Sequence, residues 1–199
     1  MPITINDRQL PGDGFKTDGA ALMSFNTGPT IPSANTISSS TLKMTVVSKT
    51  DPTNINALNI VMAKNTGTWT HSIVGTDFDT RDTSASSTAY SDYVLYGEVA
   101  ASQEEFFKLN ATAIADITKG SGLTRFSLQS HLDMADTPAP AVSGGGGSGD
   151  EVRFESADNT NDPVLTVIHA AAAAGGGVNE EEGFIPSFIY WPLYDLKVF

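Results

Sequence analysis

Apolar and polar residues alternate one by one along much of this chain, and a period of two is what a strand with one buried face requires. Leu42, Met44 and Val46 take one parity while Thr41, Lys43 and Thr45 take the other. The pattern returns in Leu58, Ile60 and Met62, and in Phe126 and Leu128 between Arg125, Ser127 and Gln129. It returns again in Val152 and Phe154 beside Arg153 and Glu155, and in Leu165 and Val167 between Val164, Thr166 and Ile168. Each run is short and is bounded by turn formers such as Gly12-Asp13-Gly14, Asn26-Thr27-Gly28-Pro29, Asp51-Pro52 and Asn65-Thr66-Gly67. Many short strands broken in this way predict an all-β chain folded as an antiparallel β-sandwich. The 22 threonines and 19 serines suit such strands, whose outer faces then carry neutral hydroxyls in place of ion pairs. One stretch alone reads as helical. Asn110 is placed to cap it, and Ala111, Ala113, Ile114, Ala115 and Ile117 give an apolar stripe that ends at Gly120, enough for two turns plugging one end of the sandwich.

A chain of 199 residues holds one substantial core and is short for two. Low-complexity segments divide it. Ser143 to Gly149 lies between strand patterns and reads as an exposed glycine loop, whereas Ala170 to Gly177 separates the strands from a different kind of sequence. The expected organisation is an N-terminal arm over 1–17, a sandwich over 18–169, an Ala/Gly linker over 170–177 and a C-terminal aromatic arm over 178–199. That arm carries Phe184, Ile185, Phe188, Ile189, Tyr190, Trp191, Tyr194 and Phe199, with six of the chain's seventeen aromatic residues in its last seventeen positions. Left in water, each large apolar side chain forfeits roughly 1.5–3 kcal/mol of burial, so the segment needs a cover. It either folds back on its own sandwich or docks on a neighbouring subunit, where Pro186 and Pro192 would keep it extended.

Eleven basic against 23 acidic residues give a net charge of −12, a field that repels phosphate backbones and argues against sequence-independent nucleic-acid binding. No cysteine is present, which removes disulfides, zinc-thiolate sites, thiolate catalysis and iron–sulfur ligation together. The longest apolar run, the alanine tract from Ile168 to Ala174, is broken by His169 and is too short to span a bilayer. The N-terminal residues lack a positive run followed by an apolar stretch, so the expectation is a chain with no secretory signal.

Catalytic constellations are sparse. His71, His131 and His169 lie far apart in HxxxH-free surroundings. Ser130, His131 and Asp133 contain the residue types of a hydrolase triad, but neighbours in one strand point to opposite faces, and no nucleophile elbow is present. Glu104-Glu105 and Glu180-Glu181-Glu182 read as runs in polar loops and not as the paired carboxylates of a glycosidase. No cofactor is expected. Calcium is the one metal the carboxylates suggest, through Asp133, Asp136 and Asp150 or through Asp77, Asp79 and Asp82, although the latter lacks the glycine and terminal glutamate of an EF-hand. Trp69, Tyr90, Tyr93 and Tyr96 could stack on sugar rings, Trp69, Tyr90 and Tyr93 being the candidate glycan contacts, against a competing role in packing. Residues 79 to 91, rich in Ser, Thr and Asp, read as a long exposed loop.

Four blocks in fixed order carry a family resemblance. Ala20-Ala21-Leu22-Met23-Ser24-Phe25-Asn26 followed by Ile31 to Met44 resembles the opening of the DNRLRE domain family and related jelly-roll carbohydrate-binding modules. Gly67-Thr68-Trp69-Thr70 resembles that family's "GtWtE" stretch, and Leu109-Asn110-Ala111-Thr112 through Phe126-Ser127-Leu128-Gln129-Ser130 resembles its "fDVT…fgLr" stretch. Val152 to Ser156 followed by Asp162 to Val167 resembles its ending. The resemblance spans about residues 18–169 and implies a jelly-roll with one short helix and a C-terminal extension. It further implies an accessory scaffold or sugar binder, found on secreted enzymes, surface proteins and virions, and not a reaction. Two functions are therefore expected. The first is a non-enzymatic virion protein, a bacteriophage capsid decoration or appendage subunit assembled in a host cytoplasm. It would be a homo-oligomer anchored to other virion proteins through the C-terminal arm. The alternative is an extracellular carbohydrate-binding module for a surface polysaccharide.

Overall fold

The computed structural model describes residues 3–9, 16–18, 21–50, 59–67, 88–135, 150–155 and 161–172. Its strands are β1 (Ile3–Gln9), β2 (Lys16–Asp18), β3 (Ala21–Phe25), β4 (Thr36–Thr50), β5 (Ile60–Lys64), β6 (Glu104–Lys108), β7 (Thr124–Ser130), β8 (Asp150–Phe154) and β9 (Val164–Ala170). Two short helices, α1 (Ala111–Asp116) and α2 (His131–Met134), and a 3-10 turn over Tyr96–Glu98 complete the elements. The strands form two antiparallel sheets packed around one core, an all-β sandwich.

The larger sheet is built on β4, whose fifteen residues make it the longest strand. Leu42, Met44 and Val46 are fully buried, as the alternation predicts. β6 pairs with one edge of β4, Thr41 opposite Lys108 and Thr45 opposite Glu104. The other edge is shared end to end. β8 covers Val46 to Thr50 and β9 covers Thr36 to Lys43. The two thus line consecutive stretches of one edge of β4. A bulge between Val46 and Ser48 breaks the parity and leaves Val47 exposed. β1 pairs with the outer edge of β8, Ile3 opposite Phe154 and Asp7 opposite Asp150, and β2 pairs with β1. Most of the expected N-terminal arm is therefore sheet, because the Ile3-Thr4-Ile5-Asn6 alternation finds an open edge on β8.

The smaller sheet runs β3-β7-β5. Residues 88–94 continue it as a broken strand along β5, through bridges from Ile60 to Val94 and from Ala63 to Ala89, with the Tyr90 N–H donating to the Met62 carbonyl at 2.7 Å. Phe126 and Leu128 of β7 point into the core, opposite Val152, Phe154, Leu165 and Val167 of the larger sheet in the same cluster. β5 departs from simple alternation. Its Val61 and Ala63 are buried too, in a second cluster with Met134 of α2 and Ala89. The chain thus leaves strand geometry at His131, one residue after Ser130.

Asn110 caps α1 as expected, its side-chain oxygen accepting from the Ala113 N–H at 3.0 Å. The helix sinks Ala113 and Ile117 into the core, and Gly120 then turns the chain with φ of +79°. At the corner beside it, Leu109 bridges to Ser91 and donates its N–H to the Ser40 carbonyl at 2.9 Å, which ties the two sheets together. Glu104-Glu105, expected in a loop, lie instead in β6. Phe107 and Leu109 anchor that strand inward, a pattern concealed in the sequence by the adjacent Phe106.

Candidate functional site

Two surfaces carried the expected binding residues, and the structure treats them differently. Phe184, Ile185, Phe188, Ile189, Tyr190, Trp191, Tyr194 and Phe199 of the arm lie outside the described residues, as does Trp69. His71, the Asp77, Asp79 and Asp82 group, Asp136 and Glu180-Glu181-Glu182 do so as well.

Tyr90 and Tyr93 sit three residues apart on the broken strand beside β5 and face opposite ways. Tyr90 is 2% exposed, edge-on to Phe126 at 5.8 Å between ring centroids, and its hydroxyl donates to Asp116. No ring face is left for a sugar, so Tyr90 drops out of the platform. The reason is its register, since it follows the Met62 carbonyl into the interior. Its phenol works on Asp116 instead: that hydrogen bond, with Lys64 at 2.9 Å, holds the carboxyl below the usual carboxylate range. Tyr96 is buried as well, with its hydroxyl donating to the Thr50 carbonyl and Lys49 lying 4.2 Å over its ring.

Tyr93 is 48% exposed and packs edgewise against His131 at 5.7 Å, with Leu95 exposed nearby in sequence. His131 is held through its backbone, its N–H donating to the Asn59 carbonyl at 2.8 Å and its Nδ1 accepting from the Asn59 N–H at 3.2 Å. Burial pushes this imidazole below its ordinary value, so it is neutral near pH 7. His169, at the end of β9, receives a 2.7 Å contact from the Asn35 side-chain amide at Nδ1, which leaves the ring proton on Nε2. The two described histidines therefore serve separate local contacts. Among the described residues, no three His, Cys, Asp or Glu side chains gather as a metal site would need.

β6 joins the Glu104-Glu105 pair to Phe106 and Lys108, which sequence reasoning did not single out. Glu104, Phe106 and Lys108 face outward, and Phe106 is 58% exposed, the most exposed large apolar side chain among the described residues. Glu104 pairs with Lys43 at 2.7 Å. Glu105 points inward, opposite Met44, and its Oε1 is buried with no hydrogen-bond partner among the described residues. Burial pushes its carboxyl above the usual range, and repulsion from Glu98 adds to the rise. The unfolded chain releases this proton first, so the folded state loses stability as pH rises from the ordinary glutamate value through the raised one. Glu105→Gln, which carries no charge to desolvate, is expected to raise the thermal midpoint at pH 7 by about 2–4 °C for each kcal/mol recovered, and to leave it nearly unchanged at pH 4. Thermal unfolding at the two pH values checks this; an equal shift at both would assign the effect to packing.

No protein-family model matches the chain, and neither does any curated protein or solved structure.

Proposed function

We propose that this chain is a structural assembly protein, a β-sandwich body that attaches to other subunits through its aromatic C-terminal arm. The setting we infer is a virion, with the chain as a bacteriophage decoration or appendage subunit. The observation that carries the reading is the contrast between the two parts. The described strands pack a continuous core of their own, from Ala21 in β3 to Val167 in β9, while the densest aromatic segment of the sequence follows an Ala/Gly tract after β9. The acidic composition and the resemblance to jelly-roll accessory domains support the same assignment, and Glu104, Asp116 and His131 are each engaged in local pairs.

Deleting residues 178–199 tests the reading. The truncated chain is expected to unfold cooperatively, with a midpoint close to that of the full chain, and to be lost from purified particles assembled in its presence. A truncated chain that is retained on particles, or one that no longer folds, would place the arm inside its own sandwich. Glycan binding is the second reading, and Tyr93 is the exposed aromatic face that favours it. Retention of the full chain on an immobilised polysaccharide, lost in Tyr93→Ala, is the result that would move the assignment there.

A further inference from the structure

We propose that the aromatic arm of one copy of this chain docks on the outer face of the larger sheet of another copy, with Phe106 as the anchor and Lys108 as the charge partner. This rests on the reading of the arm as an attachment device, and it names what the arm attaches to. The register lays out the face. Leu42 and Met44 of β4 are buried, so Thr41 and Lys43 point outward. Lys43 has Phe106 opposite it on β6 and Val164 opposite it on β9, and Thr41 is flanked in the same way by Lys108 and Thr166. Two rows therefore lie side by side, an apolar one bridged by the Lys43 stem and a polar one that ends in a cation. None of the six side chains is buried, and Phe106 is the most exposed of the large apolar ones. At Leu109 and Asn110 the edge of β6 is taken by Ser91 and Tyr90, so β6 offers its side-chain face and not its backbone.

Charge and backbone chemistry identify the occupant. Glu104 is held by Lys43 at 2.7 Å, whereas Lys108 has no ion pair among the described residues. A chain of net charge −12 thus carries an unpaired cation two residues from an exposed ring, and what fits is a segment that brings a carboxylate and an aromatic ring at the same step. The arm has that pattern. When extended, it puts Glu180, Glu182, Phe184, Phe188 and Tyr190 on one side, because alternate residues of an extended chain share a face. Glu182 and Phe184 are then about 6–7 Å apart along the chain, the same step that separates Lys108 from Phe106. Pro186 and Pro192 lack the N–H that a ladder needs, so the arm suits side-chain docking on a face better than strand addition at an edge. The cover for Phe106 comes from another molecule, since the ring is more than half exposed in the single chain. A face on one copy that takes the arm of another is a heterologous contact, which closes into a ring or propagates.

The test measures association of the full chain by sedimentation over a range of concentrations, using charge reversals on the face and on the arm. The wild-type chain is expected to associate as its concentration rises. Lys108→Glu sets a carboxylate against Glu182, and Glu182→Lys sets an ammonium against Lys108, so each alone should raise the dissociation constant about tenfold or more. The chain carrying both changes regains an opposite-charge pair and should associate with near wild-type affinity, a recovery that an unrelated structural effect of either change would not give. Phe106→Ser, at an exposed site, should weaken association while keeping cooperative unfolding, and it stands in if a charge variant fails to fold. A monomeric wild-type chain, single variants that associate as the wild type does, or a double variant no stronger than the singles would each overturn the proposal. Any of those results, alongside loss of the chain from particles on removing residues 178–199, would keep the attachment reading and reject this receptor for it. Retention on particles without the arm, with the charge rescue observed, would support this docking and reject the arm as the particle anchor.

Discussion

Truncating Phe126 to alanine is expected to cost about 3–5 kcal/mol of folding stability, the range for a large aromatic removed from a core that cannot collapse around the gap. Phe126 is fully buried in the centre of the smaller sheet, between β3 and β5. It lies 6.1 Å from the Phe25 ring and takes the Tyr90 ring edge-on at an interplanar angle of 89°. Its loss opens a cavity and also removes the wall against which Tyr90 aims its hydroxyl at Asp116. Against a typical total of about 5–15 kcal/mol, that cost is a large share of the folding free energy. Urea titration of both proteins measures the difference, and Phe126→Leu, which refills most of the volume, should recover more than half of it. A cost below about 1 kcal/mol for the alanine variant would show that the two sheets do not meet at this ring.

Much of that core was legible beforehand, because burial on one face of a strand writes itself into the sequence at every second position. Leu42, Met44 and Val46, Val152 and Phe154, and Leu165 and Val167 were readable in this way, as was the Asn110 cap. β5 was not fully readable. Val61 and Ala63 are buried on the face that alternation assigns to solvent, since α2 and Ala89 cover it, and such covering is a tertiary fact. β6 was obscured for a local reason. Two adjacent glutamates and two adjacent phenylalanines have no period of two, and only the inward placement of Glu105 and Phe107 resolves them into a strand. Nor could spacing reveal that β8 and β9 share one edge of β4, because that depends on an excursion rejoining the same ladder.

Binding residues were less legible than core residues. Composition marks Tyr90 and Tyr93 as equivalent, yet one is core and the other surface, and the pairing of their strand with β5 decides which. The outward series Glu104, Phe106, Lys108 is visible in the sequence only after the strand is known.

Gly28→Ala is the second substitution expected to have a large effect, and it acts through backbone and not through hydrophobic volume. Gly28 lies where the turn after β3 crosses the turn before β7, its N–H donating to the Gly122 carbonyl at 3.1 Å. A Cβ there would stand 2.2 Å from the Ser121 carbonyl carbon and 2.5 Å from the Gly122 nitrogen, so relief requires moving one main chain away from the other. Neither turn can yield cheaply. On one side, the Thr27 hydroxyl donates to the Thr118 carbonyl at 2.8 Å and meets the Thr124 hydroxyl at 2.6 Å, and the Thr118 N–H donates to that same Thr124 oxygen at 2.9 Å. On the other, Gly120 and Gly122 hold φ of +79° and +97°, a region that suits glycine, so the opposing loop is already fixed by its own turns. Displacement would strain the buried threonine bonds along with the Gly28 contact, and an overpacked backbone crossing costs roughly 1–3 kcal/mol, here at the upper end. The chemical denaturation midpoint should fall with the slope unchanged, and amide exchange at Gly28 and Thr118 should accelerate before exchange in β7 does. A variant as stable as the wild type, with both amides still protected, would mean that the two turns do not cross at this distance.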